Sequence, residues 1–437
     1  MKVSKVKNQN SVFKLSILFF MSFVFVANSQ TFDVTHYINN ALAQSPLLQK
    51  QENNSKIIAL NLKQFNAIYK SPKINFNSNI LFAPILSKDG ATNKLELTSS
   101  GSNNYIGYDL GASNGGQYQA MMSVNQPLFT NKYYKAQEDR IGVINARNST
   151  NVQLTKIEIK QLVTHQYILC IQSKEQENNT LKTIQIIKEQ VEQMKMLVKS
   201  GIYKLVDLKL LEIELQNNEI ENERLKSDYL TNFNALNLVC GIKDATLYNL
   251  DEIQIELSLP IPKSSLFSTT YKLDSLAVKA EQRIVNLNYL PQINAFGDAG
   301  LNATYSPSFN RLGFSVGISL NWNLFDGHQK QFKKEESQLL LENIGTDKKY
   351  YETQNIIRKN NILSQINSLD TQINLMDTQL IDYTKLLELY KLELKNSLVS
   401  VLELKTLIKD ITIKQQEKIN ALMSKKILIN SYNYWNN

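Results

Sequence analysis

Two stretches of this chain repeat one another at a constant spacing, and that repeat governs what the chain can fold into. Val124-Asn125-Gln126-Pro127-Leu128-Phe129 matches Leu320-Asn321-Trp322-Asn323-Leu324-Phe325 at an offset of 196. Leu205-Val206-Asp207-Leu208-Lys209 matches Val401-Leu402-Glu403-Leu404-Lys405 at the same offset of 196, so no net insertion separates the halves between these anchors. Upstream, Ser71-Pro72-Lys73-Ile74-Asn75 matches Leu290-Pro291-Gln292-Ile293-Asn294 at 219, which leaves 23 additional residues inside the first half. Two copies make a tandem duplication rather than a solenoid. We expect structural repeats over 30–259 and 260–437, joined where Pro260 and Pro262 mark a linker.

Each repeat carries one pair of strands. From Arg311 to Leu324, Leu312, Phe314, Val316, Ile318, Leu320, Trp322 and Leu324 take one face, while Gly, Ser and Asn take the other. Alternation over ten or more residues, with an aromatic near its end, suits a membrane barrel strand better than a half-buried soluble one. Weaker alternation gives pairs at 73–82 with 117–129 and at 292–305 with 311–325, with Phe296 a misfit on the polar face. The first pair is joined by a Gly/Ser/Asn-rich loop from about Ser87 to Gly116, expected at the cell surface. The second is joined by a short turn around Ser306-Pro307-Ser308.

The remainder reads as long helix. From Ile366, Leu369, Ile373, Met376, Leu380, Tyr383, Leu387, Tyr390 and Leu394 follow in a 3-4 rhythm, four heptads without a break. Ile184, Ile187, Val191, Met194 and Val198 keep the same rhythm in the first half. Lys132 to Lys199 contains no proline, so its residues make a rod of roughly 100 Å at ~1.5 Å each. Long helices are expected at 131–199 and 327–395, with return helices at 205–240 and 400–433. Shorter ones at about 36–69, interrupted at Ser45-Pro46, and 271–288 lead into the strands. Fold class is therefore mainly α with membrane β, built on long antiparallel coiled-coil helices.

The N-terminus carries Lys2, Lys5, Lys7 and Lys14, then an apolar run Leu15–Val26, then Ala27-Asn28-Ser29. We read residues 1–29 as a secretory signal peptide, too short in its apolar run for the ~20 residues of a spanning helix. No cysteine lies near the cut, so no lipid anchor is expected there. Without those lysines 44 basic residues face 40 acidic ones, an excess of +4 that argues against nucleic acid as a partner. His36, His165 and His328 show no ligand spacing, and no hydrolase, P-loop or zinc-protease motif occurs. Neither an enzyme nor a cofactor is expected. Cys170 and Cys240, counted along their helices from Gly201, differ in height by roughly 12 Å, beyond the ~7 Å that a disulfide spans. They read as free buried thiols.

Four strands cannot close a barrel, and open edges are not tolerated in lipid. Three chains supplying twelve strands is the natural count for a water-filled barrel, with the small polar faces lining it. A general porin would have many strands and little helix. A trimeric coiled-coil adhesin, or a structural protein without transport, would also combine signal, heptads and strands, but with its strands gathered at one end of the chain.

The element order, the N-x-x-L-F anchors (Asn125 to Phe129, Asn321 to Phe325), the Pro-x-Ile strand starts at Pro72 and Pro291, and Gly201…Val206-Asp207-Leu208 together resemble TolC-type outer membrane efflux proteins. The resemblance covers essentially the whole chain after residue 29. It implies a homotrimeric exit duct in the outer membrane of a Gram-negative bacterium, helices in the periplasm. Such a duct docks on a periplasmic membrane-fusion adaptor and serves an inner-membrane pump of a tripartite efflux system, or the ABC exporter of a type I secretion system. By the same resemblance Ser200, Gly201, Ile202, Asn396, Ser397 and Leu398 are adaptor-contact turns. Asp207 and Glu403, just inside the returning helices, would give six carboxylates around the narrow end of a trimer. Acids in a first helical turn also complement the helix dipole, and that reading stands beside the ring. Three positions depart from the family pattern: Ser397 replaces the usual second glycine, Val399 stands where an Arg latch belongs, and Thr406 where a second acid belongs.

Overall fold

The computed structural model describes residues 31–90, 92–96, 104–107, 116–244, 246–258, 265–303 and 312–437. The segment read as a signal peptide, the Pro260–Pro262 linker and the Ser306-Pro307-Ser308 turn lie outside them. In chain order the elements are β1 (Thr31–Phe32), α1 (Val34–Gln44), α2 (Pro46–Lys70), β2 (Lys73–Phe82), β3 (Ile85–Ser87), β4 (Lys94–Glu96), β5 (Tyr105–Ile106) and β6 (Gly116–Leu128). There follow α3 (Asn131–Lys199), α4 (Leu205–Cys240), β7 (Asn249–Leu250), α5 (Leu266–Leu287), β8 (Gln292–Ala303), β9 (Leu312–Asn321), α6 (Gln329–Lys395) and α7 (Val401–Trp435).

The chain divides into two compact units. The first comprises the chain up to Ser45, Ile159–Leu257 and Ser364–Ser431. Its helices bury the heptad stripe: Ile366, Ile373, Leu387 and Leu394 are buried, and the positions between them half-buried, while their neighbours face solvent. Two apolar clusters result. One gathers Tyr37, Tyr167, Phe233, Leu236, Ile253 and Met423. Its Tyr167 hydroxyl donates to the Asp251 carbonyl at 2.7 Å, beside the parallel pair β1–β7. The other cluster lies at the ends of α3, α4, α6 and α7.

Cys170 and Cys240 sit unbridged in the first cluster. Burial pushes both thiols up to about 12. At pH 8 only about one thiol in ten thousand is then thiolate, and the thiolate is the species that reacts. Burial also denies a reagent access, so native protein at pH 8 should react with a disulfide-exchange reagent far more slowly than a free cysteine. Two thiols should appear on denaturation; immediate labelling of the native protein would show that this cluster is open.

The second unit comprises Pro46–Glu158, Ser258–Leu363 and Tyr432–Asn437. Ion pairs Arg140–Glu281 (2.7 Å), Arg147–Asp274 (2.7 Å) and Arg283–Asp139 (2.6 Å) tie α3 to α5. Asn148 ties α3 to α2, donating to the Ser55 hydroxyl at 2.7 Å and the Gln51 carbonyl at 3.1 Å. The strands form one antiparallel sheet in the order β2-β6-β8-β9.

Two departures from the sequence reading bear on the sheet. Strand β9 stops at Asn321, not at 325, because its last ladder partner is Gln292 and Pro291 before it has no N–H to offer. Trp322 instead donates from Nε1 to the Tyr289 carbonyl at 3.2 Å. Asp326 accepts from the Tyr289 hydroxyl and from the Lys330 N–H, and Gly327 and His328 both take left-handed backbone, so α6 begins at Gln329. The second difference is in the 87–116 segment read as loop. Its described residues hold β4 and β5, which pair with β3 in a small sheet whose Ile85 is fully buried.

Candidate functional site

The ends of the long helices turn in the same way in both halves. After α3, Gly201 has φ 73°; the Ile202 N–H donates to the Leu197 carbonyl at 3.0 Å and the Gly201 N–H to the Val198 carbonyl at 3.0 Å. After α6, Ser397 has φ 59°; the Leu398 N–H donates to the Glu393 carbonyl at 3.0 Å and the Ser397 N–H to the Leu394 carbonyl at 3.2 Å. Both are Schellman turns, which require a left-handed residue at this position. Glycine takes that conformation freely, whereas a side chain there costs about 1–2 kcal/mol, so Ser397 preserves the turn at some strain.

Each return helix starts with an acid that closes its own first turn. Ser400 and Glu403 form a complete capping box: the Glu403 N–H donates to the Ser400 hydroxyl oxygen at 3.2 Å, and the Ser400 N–H to the Glu403 carboxylate at 2.9 Å. Asp207 accepts from the Lys204 N–H at 3.0 Å, half a box only, because an ammonium has no acceptor to return. Hydrogen bonds from the Ser400 backbone and then its hydroxyl hold the Glu403 carboxyl below its ordinary range. It is ionised at neutral pH, and its capping contribution is complete above the ordinary range and lost as pH falls through the lowered value.

The two turns are joined by a residue the sequence reading missed. The hydroxyl of half-buried Tyr203 lies 2.9 Å from the Leu394 carbonyl oxygen and 3.0 Å from that of Val399, donating its hydrogen across the gap. No periodic signal marks Tyr203, which sits in the turn between two helices. Val399 itself is buried, an apolar wedge rather than a latch. Beneath the turns Leu208, Leu211, Leu394, Val401 and Leu404 pack together, and Lys405 pairs with Glu214 at 3.2 Å. Ser200, Gly201, Ile202, Asn396, Ser397 and Leu398 are all exposed.

The sheet is two-faced. Ile74, Phe76 and Ile80 of β2 and Phe314, Val316 and Ile318 of β9 stand on one side, where Phe314 and Val316 are 84% and 79% exposed. Asn75, Asn77, Ser123, Asn294, Ser315 and Ser319 stand on the other, with Lys73 and with Asp298, which accepts from the Ser315 hydroxyl at 3.3 Å. Strands β2 and β9 each pair on one side only. Among the described residues no helix is long and apolar enough to cross a membrane, and no group of three or more His, Cys, Asp or Glu is placed to hold a metal.

No family model matches the sequence, and no curated protein does. Solved structures do. A membrane protein from Pseudomonas aeruginosa is 12% identical and superposes over 92% of this chain and 90% of its own, at a TM-score of 0.72. The outer membrane protein VceC of Vibrio cholerae is 13% identical over 92% of this chain and 95% of its own, at 0.69. The CmeC outer membrane channel of Campylobacter jejuni is 11% identical over 92% of this chain and 85% of its own, at 0.68. The fold is that of the TolC-type outer membrane channels. Identities this low carry the fold and not the working residues. Within the TolC-type fold, the exposed turns, the two carboxylates and the polar sheet face are the features of this chain to weigh.

Proposed function

We propose that this chain is an outer membrane channel-tunnel, a passive exit duct of a tripartite efflux pump or of a type I secretion system. The observation that carries the reading is the sheet, whose apolar side chains on both edge strands are exposed and whose edge strands each pair on one side only. In water such a face is a large apolar patch and such edges invite aggregation. In lipid the apolar face is at home, and each edge must find a strand. Three copies pairing β9 of one with β2 of the next close a twelve-stranded barrel whose polar faces line water. The exposed turns at Gly201 and Ser397 are the surface offered to a periplasmic adaptor, and through it to an inner-membrane pump or ABC exporter.

In that assembly Asp207 and Glu403 form a ring of six carboxylates at the inner end of the duct. Capping does not discharge Glu403, since the hydrogen bonds from Ser400 hold its carboxylate in the ionised form. Purified protein should measure as a three-chain particle in native mass spectrometry and conduct in a planar bilayer with a preference for cations. Asp207→Asn with Glu403→Gln should weaken that preference and leave trimer yield unchanged, because amide oxygens still accept the capping bonds. An unaltered preference would make the acids helix-start residues only. A stable membrane-inserted monomer would remove the barrel itself.

A further inference from the structure

Phe296 is the one aromatic side chain on the polar face of the sheet among the described residues, and it stands directly opposite Gly317 in the β8–β9 ladder. A Cβ added at Gly317 would come within 2.6 Å of the ring's Cζ and 2.9 Å of Cε1. The far end of the ring therefore occupies the space that a side chain at 317 would fill. Ser315 and Ser319, the neighbours of Gly317 on this face, are small as well. Gly317 is the one β9 residue that is not exposed. An aromatic laid over a strand glycine shields bare backbone and packs at no steric cost. On a bore wall it has a second effect, which is to keep a bulky side chain out of the opening.

We propose that Gly317 seats the Phe296 ring against the wall and so sets the calibre of the bore at this level, and with it the size of solute that passes. The inference rests on reading the polar face as the lumen. Approach below 3.0 Å forces movement, and the flexible partner is the phenyl ring. Its other staggered rotamers leave the wall and stand into the opening, at three places in a trimer.

Single-channel conductance tests this. Gly317→Val should lose conductance, with a larger loss for a bulky tetraalkylammonium ion than for potassium, and adding Phe296→Ala in the same chain should restore both. Phe296→Ala alone should conduct like the parent, since a ring lying on the wall obstructs little. Parental conductance in Gly317→Val, or a loss that Phe296→Ala does not reverse, would overturn the proposal. If Gly317→Val fails to assemble, Gly317→Ala takes its place, and Phe296→Ala alone remains decisive: a rise in its conductance would mean that the ring already obstructs the bore. The lumen reading is checked separately by Phe296→Cys with a cationic methanethiosulfonate, against a quiet background because Cys170 and Cys240 are buried. An open pore that this reagent does not block would sink the lumen assignment rather than the seat.

Discussion

Val316→Arg should abolish recovery of assembled protein from the outer membrane, while Ser315→Arg, one residue away, should not. The two side chains leave β9 on opposite faces, and Val316, 79% exposed, stands on the apolar face between Phe314 and Ile318. Arg on the lipid face near mid-membrane costs about 2–4 kcal/mol per site, and three copies add that cost three times, which rivals the stability of an ordinary domain. An Arg at 315 meets Asp298 on the polar face instead, where the Ser315 hydroxyl already donates to that carboxylate. It should leave assembly intact and reduce cation preference. Heat-resistant trimer on a gel, scored for both variants side by side, gives the result. Equal recovery of the two would mean that the exposed apolar face does not meet lipid.

Leu404→Ala should loosen the helix ends without touching the cluster around Phe233. Leu404 is fully buried with Leu394, Leu211 and Val401, and truncating such a leucine costs about 2–5 kcal/mol. The loss falls on the short segments between the turns and that cluster, which open locally before the whole protein does. Trypsin reports it, since Lys199, Lys204 and Lys395 flank the two turns. Cleavage at these lysines should quicken by at least about tenfold in the variant. The exposed neighbour Ile202→Ala should cleave like the parent. Uniform acceleration across the chain would show that the helix ends are not a separable unit of stability.

Much of this architecture is written in periodicities that depend on one face being covered. The heptads from Ile366 to Leu394 appear in the structure as the covered stripe of α6, residue by residue. Alternation in β9 likewise appears as its two faces. What escaped has a common cause, dependence on contacts that no period records. The end of β9 at Asn321 follows from the absent N–H of Pro291 on the partner strand, which a reading of β9 alone cannot see. Phe296 breaks the polar pattern of its strand, and its reason is Gly317, 21 residues on. Tyr203 reaches carbonyls nearly two hundred residues away. The capping role of Glu403, by contrast, is local and legible in the spacing Ser400-x-x-Glu403.

The pairing of β6 with β8 has a consequence for how the protein is made. Its partners run from Leu128 with Ile293 to Tyr118 with Ala303, 165 to 185 residues apart along the chain. Strands β2 and β6 can zip together as soon as both are made, but β6 then waits with a bare edge while more than a hundred residues of helix follow it. Contacts this distant form slowly, and a waiting strand edge is where misassembly begins. The order of synthesis thus leaves the edge of β6 bare first and supplies its partner late. A chaperone that shields extended apolar segments would find its client in the interval between them.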